Sequence, residues 1–349
     1  MHHRSFTLRV LQGSLAAAIA LLSPLPPSSL SSPPPPSSPS PASPTTTPHL
    51  LRTLTGHTSW IYTIAFSPNG QAIATTSYDR TVRITNWRTG ESVLTVPQDN
   101  DNDWFTAATF SPDGQTLLTS RSDGTLQLRN IQMGTVQSEA PWRFSGYGIL
   151  AFTADGQALI DASGQGGDFR IYLWDFQRRQ APRNIGGTWV TSPAMMAVTP
   201  DGYTLAAGSN NGTTRIWNIR TGQVLSTLPA GATIAASSIA LTPDGQTLLV
   251  SYGDGSVKQW STRTGRLNRV LFPAGRYGEQ AIAISPNGQI LAMNFGNSIR
   301  LWNLQTNRLI ANLPANVATN KHVMAFSPDS RFLLNTDGDG SRIRVWQLN

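Results

Sequence analysis

The sequence predicts an all-β ring, a seven-bladed β-propeller of four-stranded antiparallel blades, because three observations agree. A four-residue phrase recurs seven times, as "SPNG" at 67, "SPDG" at 111, "TADG" at 153, "TPDG" at 199 and 242, "SPNG" at 285 and "SPDS" at 327. Its copies are spaced by 44, 42, 46, 43, 43 and 42 residues, a regularity that marks a structural repeat. Short apolar runs flank every copy, and a third and fourth run follow before the next one.

The first two strands of each unit come from runs such as "IYTIAF" before Ser67 and "QTLLTS" after Gly114. Between them the Pro fixes φ and the Gly accepts a positive φ, the chemistry of a hairpin turn. The third strand is read from "DRTVRI" at 79, "SDGTLQL" at 122, "NNGTTRIW" at 210, "GDGSVKQW" at 253 and "GNSIRLW" at 296. A turn containing Gly90, Gly134, Gly222 or Gly265 leads to the fourth, as in "ESVLTV" or "QVLSTL". Four strands in about 43 residues make a propeller blade, and seven such units fill residues 49–349. Two departures are read as loops: "DNDND" at 99–103, joining blades one and two, and "SGQGGD" at 163–168, a lengthened hairpin loop accounting for the 46-residue spacing.

These units resemble the Trp-Asp (WD) repeat propeller family. Trp174 with Asp175 is the one literal Trp-Asp pair; Trp217-Asn218, Trp260-Ser261, Trp302-Asn303 and Trp346-Gln347 occupy the same slot, which holds Thr85-Asn86 and Arg129-Asn130 in the first two blades. The five slot tryptophans are read as inter-blade packing. The Gly-His pair that opens a family repeat occurs once, as Gly56-His57, so the family's His, Ser/Thr, Asp and Trp hydrogen-bond network is expected only in part, in blade one, through His57 and Asp79. The resemblance also implies that a strand from the other terminus closes the ring. The chain stops shortly after Trp346, one strand short, while "HLLRTLTGH" at 49–57 aligns with "VLSTLPAG" at 224–231. The strand Leu50–Leu54 is therefore expected to complete blade seven.

Ahead of the ring lie two segments of different character. Residues 1–23 open with a positive start and an apolar run from Val10 to Leu22, broken only by Gln12, Gly13 and Ser14; a cleaved secretory signal and an uncleaved N-terminal anchor both fit it. Residues 24–48 are almost entirely Pro, Ser and Thr and have nothing to bury, which predicts an extended disordered linker. The expected location is extracytoplasmic: periplasmic, lumenal or secreted, with a membrane tether through the N-terminus where the segment is retained.

Composition narrows the function. Cysteine is absent, which excludes a disulfide framework, a thiolate nucleophile and a cysteine metal site. The formal charge is +7, or +5 once Arg4 and Arg9 are set aside, and it is spread along the chain rather than concentrated, so no nucleic-acid partner is expected. Beyond residue 48 only His49, His57 and His322 remain, well separated, and no nucleophile elbow, phosphate loop or zinc-binding helix motif occurs. "DNDND" lacks the Gly and Glu that a calcium-binding loop places at its sixth and twelfth positions. Catalytic residues, metal and cofactor are accordingly expected to be none.

Aromatic residues give the more useful clue, since interfaces are enriched in Trp, Tyr and Arg. Trp60, Tyr62 and Trp104 stand where the chain enters the innermost strands of blades one and two, at the rim of the face that family members commonly use for partners. His322 holds the related place in blade seven, and Tyr78 and Arg121 precede turns directed to the same face. Blades seven, one and two adjoin in a closed ring, so Trp60, Tyr62, Tyr78, Trp104, Arg121 and His322 form a candidate recognition patch; the competing reading packs Trp60 and Trp104 between blades. The expected function is a non-catalytic, monomeric platform for protein partners. A carbohydrate- or envelope-binding module is the alternative, and a propeller enzyme a third reading.

Overall fold

The recurring phrase folds as its chemistry dictates. In blade one the Ser67 hydroxyl donates to Asn69 Oδ1 (2.7 Å) and accepts the Ala72 N–H (2.9 Å), while the Gly70 N–H donates to the Ser67 carbonyl (2.8 Å) at a φ of 67°. The hydroxyls of Ser111, Thr199, Thr242, Ser285 and Ser327 accept the N–H five residues on in the same way, so the phrase needs Ser or Thr at its first position. In the seventh copy Ser330 stands where the others have Gly, at a φ of 61°. Its hydroxyl accepts the Asn287 N–H of blade six (3.0 Å), an inter-blade bond that glycine cannot make.

The computed structural model describes residues 47–97, 103–139, 149–152, 158–165, 168–175, 183–185, 193–199, 201–209, 213–229, 236–275, 281–315 and 323–348. They form seven four-stranded antiparallel sheets. Blade one is Ile61–Phe66, Ala72–Ser77, Thr81–Asn86 and Ser92–Pro97; blade two is Phe105–Phe110, Thr116–Arg121, Leu126–Asn130 and Val136–Glu139. Blades three to six repeat this order, beginning at Ile149, Pro193, Ala236 and Ile282. First strands of successive blades lie against one another around the centre, and that of blade seven, Met324–Phe326, reaches that of blade one, which closes the ring.

Blade seven is built from Met324–Phe326, Phe332–Thr336, Ile343–Gln347 and, as its outermost strand, His49–Leu54. The register runs from His49 opposite Gln347 to Leu54 opposite Ile343, antiparallel, with an irregularity between Leu50 and Arg52. The N-terminal strand thus closes the last blade, as expected. Blade three departs from the expected lengthened loop. Ser163, Gly164 and Gln165 pair with Arg170, Phe169 and Asp168, so the extra residues lengthen the second and third strands to eight residues each. The period-2 pattern is weak across the glycines, but backbone pairing does not require side chains.

The core lies between blades. Trp174, Trp217, Trp260 and Trp346 are buried and Trp302 half-buried, each within the apolar cluster its blade shares with the preceding one. In blade one that place is taken by Trp87, two residues beyond the slot read as Thr85. Trp87 is wholly buried among Ile61, Phe66, Phe332, Leu334 and the closing-strand Leu54. Its Nε1–H donates to the Gly70 carbonyl (2.8 Å), as the Thr262 hydroxyl does to Gly245 in blade five (2.6 Å). Arg88 lies over both Trp87 and Phe332, 4.3 and 4.9 Å from their ring centres, and 3.6 Å from Asp329, so the junction of first and last blades is filled and bridged.

Candidate recognition site

The site is built from the entry to blade one upward. The Ile61 N–H donates to the Gly340 carbonyl of blade seven (2.8 Å), and the Trp60 carbonyl accepts the Tyr78 N–H (2.8 Å). These bonds fix the backbones of Trp60 and Tyr78 side by side. A register irregularity between Ile61 and Thr63 marks a bulge at Tyr62; both neighbours are buried while Tyr62 is half-buried. Bulges re-aim side chains at sheet edges and sites.

Beneath this corner the expected part of the family network has formed. His57 Nδ1 lies 2.8 Å from Asp79 Oδ2, and His57 Nε2 lies 2.7 Å from the Thr75 hydroxyl. The Thr81 hydroxyl donates to Asp79 Oδ1 (2.7 Å), and the Thr58 N–H donates to Asp79 Oδ2 (3.0 Å). Burial alone pushes the Asp79 carboxyl up, but hydrogen bonds from His57 and Thr81, attraction to the His57 ring and the Thr58 N–H together hold it well below the usual carboxylate range. The network ties the segment before Trp60 to the turn after Tyr78.

Four rings then meet. Tyr78 lies 6.3 Å from Trp60, 6.3 Å from Tyr62 and 6.4 Å from Trp104 between ring centres, tilted or edge-on in each case. Trp104 is placed from blade two: its carbonyl accepts the Ser122 N–H (2.9 Å), and its own N–H donates to the Ser122 hydroxyl (3.2 Å). Trp60 is 42% exposed and Tyr78 55%, so half the cluster faces solvent. On the blade-seven side Trp60 covers Gly340, where a Cβ would stand 3.0 Å from its Cδ1 and where φ is +75°.

The six residues proposed from sequence are therefore not all alike. Trp60, Tyr62, Tyr78 and Trp104 form one contiguous aromatic surface across blades one and two. Arg121 is buried, with its guanidinium 5.8 Å from the Phe105 ring centre, and so is not part of the exposed surface. His322 falls outside the described residues. The residues that sequence reasoning missed belong to the turn Asp337–Ser341. Burial and the neighbouring Asp339 push the Asp337 carboxyl up, whereas the Ser341 N–H and hydroxyl, then Asp337, hold Asp339 down. The signal was present: "GDGS" at 338–341 repeats "GDGS" at 253–256.

The aromatic surface supplies contact area and polar edges. Among the described residues, no group of three or more His, Asp or Glu side chains is arranged to hold a metal ion, and no helix is long and apolar enough to cross a membrane. The family model described as "WD domain, G-beta repeat" matches residues 48–86, 90–130, 186–218 and 222–261. Each match begins at or next to an outer strand and continues into the following blade, the phase that leaves blade seven to be completed by His49–Leu54. Among curated proteins nothing matches the chain.

Proposed function

We propose that this propeller, which is similar over four stretches to the WD repeat, a fold that typically serves as a protein-interaction scaffold, is a non-catalytic platform that captures a protein partner on the aromatic corner of blades one and two. The observation that carries this reading is the Trp60–Tyr78–Tyr62–Trp104 cluster, two of whose rings are about half exposed although their backbones are rigidly held. Large aromatic side chains fixed in advance lose little entropy on binding and dominate interface energetics. The apolar segment and Pro/Ser/Thr-rich stretch ahead of the ring support a platform exported and held outside the cytoplasm.

The test is affinity capture and crosslinking from the native host with the full chain, followed by N-terminal sequencing of the recovered protein. Capture of one defined protein by the parent, lost in the Trp60→Ala/Trp104→Ala variant with the unfolding temperature within about 3 °C of the parent, supports the reading. Retention of that partner by the double variant refutes it. Binding to a glycan array, with no protein captured, replaces it with a carbohydrate-binding module.

A further inference from the structure

The ring's circumference is electrostatically lopsided. In blade five the third and outer strands and their turn carry Lys258, Arg263, Arg266 and Arg269. Those of blade six carry Arg300 and Arg308, and those of blade seven carry Arg344 and Arg52. No Asp or Glu occurs in residues 257–272, 298–314, 343–348 or 49–54. The same strands and turn of blade four carry Arg215 and Arg220, likewise without an Asp or Glu and with Val224 exposed opposite Trp217, so the acid-free edge already begins there, whereas those of blades one and two mix Arg83, Arg88 and Arg129 with Glu91 and Glu139. In the described parts of blades five to seven the acidic residues, such as Asp244, Asp254, Asp329 and Asp339, sit in turns after the first and second strands, with Asp254 within electrostatic reach of Lys258 and Asp329 3.6 Å from Arg88 of blade one.

Apolar side chains are exposed among these cations. Leu267, Leu309 and Leu50 occupy one equivalent position, each opposite its blade's slot tryptophan, and are 45%, 49% and 43% exposed. Val270, Ile310 and Leu51 beside them are 47%, 43% and 42% exposed. An edge that is cationic, apolar at its rim and free of carboxylates matches the interface of an anionic bilayer, where basic residues meet headgroups and short apolar side chains enter the acyl boundary. Placement gives a second argument. The chain leaves the ring at His49 on this same edge, and toward the N-terminus it runs through the Pro-rich stretch to the apolar residues 10–22. Weak contacts become effective when a tether raises their local concentration.

We propose that the outer edge of blades five, six and seven docks on an anionic phospholipid surface. The proposal leans on the tether only for the edge's orientation, and it is independent of the aromatic corner. The test is co-sedimentation of the full chain with phosphatidylcholine vesicles and with vesicles containing phosphatidylglycerol. Binding to neutral vesicles reads the N-terminal segment; the increment on anionic vesicles reads the edge. Each basic residue near an anionic leaflet contributes roughly five-fold, so Arg263→Gln/Arg266→Gln/Arg308→Gln lowers partitioning to anionic vesicles by roughly 100-fold and leaves neutral vesicles unaffected. Leu309→Ser/Ile310→Ser lowers the same increment, whereas Val93→Ser/Val136→Ser on blades one and two does not. Equal partitioning of the parent to both compositions, an unchanged triple variant, or an equal loss in the blade one and two control overturns the proposal. Absence of neutral-vesicle binding with the anionic increment intact refutes the tether and supports the edge.

Discussion

Replacing Trp87 with Ala probes the junction where the ring closes. The indole is wholly buried, 4.7 Å from the Phe332 ring of blade seven and 5.8 Å from Phe66 of its own blade, and its Nε1–H is bonded to the Gly70 carbonyl at 2.8 Å. Truncating a buried Trp to Ala costs about 3–5 kcal/mol when the surroundings cannot collapse. With an unfolding entropy of about 2.1 cal/mol/K per residue, a ring of about 300 residues loses roughly 1.6 °C per kcal/mol, so Tm falls by about 5–8 °C. Trp87→Phe keeps most of the apolar volume and forfeits the bond to Gly70, which predicts a smaller loss of about 2 kcal/mol and about 3 °C. Calorimetry reads these shifts. Hydrogen exchange adds the location: Leu54 shares the Trp87 cluster, so amides of Arg52–Leu54 exchange faster in Trp87→Ala and not in Trp217→Ala, whose cluster lies between blades three and four. A Tm shift below about 2 °C for Trp87→Ala, or equal protection of Arg52–Leu54 in the two variants, refutes the assignment of Trp87 to the closure.

Three further outcomes follow from the same geometry. Deletion of residues 1–48 leaves a ring that unfolds like the parent, while deletion of residues 1–55 strips the partner from Ile343–Gln347 and produces aggregation detectable by light scattering; identical unfolding of the two truncations sinks the closure argument. Asp79 has a depressed folded-state pKa, so its stabilisation is present above the unfolded carboxylate value near 4 and is lost as pH falls through the lower folded value; the Tm gap between parent and Asp79→Asn therefore narrows below about pH 4, and a gap that widens there contradicts the network. Gly340→Ala places a Cβ 3.0 Å from Trp60 Cδ1 at a φ of +75°, which costs about 1–2 kcal/mol and shifts Trp60 fluorescence, whereas an unchanged spectrum and Tm would mean that Trp60 does not rest on this turn.

Much of the fold is written in short-range chemistry, and that is why it was legible. A hydroxyl, a carboxylate or amide and a positive-φ residue at fixed offsets determine each hairpin without reference to the rest of the chain, and the missing last strand had a single matching segment at Leu50–Leu54. What stayed hidden depends on contacts across blades. Trp87 lies two residues beyond the slot that holds Thr85 in blade one and tryptophan in blades three to seven, and only the approach of Phe332 from blade seven shows that it fills the same space. Ser330 reads as a defective turn until its bond to Asn287 is seen. At the site, local position identified Trp60, Tyr62, Tyr78 and Trp104 as neighbours. It could not foresee that Arg121, at the end of its strand, is buried with its guanidinium by Phe105, because inward or outward direction at a strand end is set by packing.

The pairing of His49–Leu54 with Ile343–Gln347 also imposes a schedule on folding. During synthesis the strand that finishes the ring emerges first, and its partner emerges among the last residues of the blade array. Six blades can stack in order as they appear, but the seventh stays one strand short until the newest and oldest parts of the chain meet. Contacts so distant in sequence form slowly. Until they form, Ile343–Gln347 is an open edge able to recruit a strand from another chain. The delay between the emergence of Ile343–Gln347 and this last pairing is the interval in which the protein most needs protection from its neighbours.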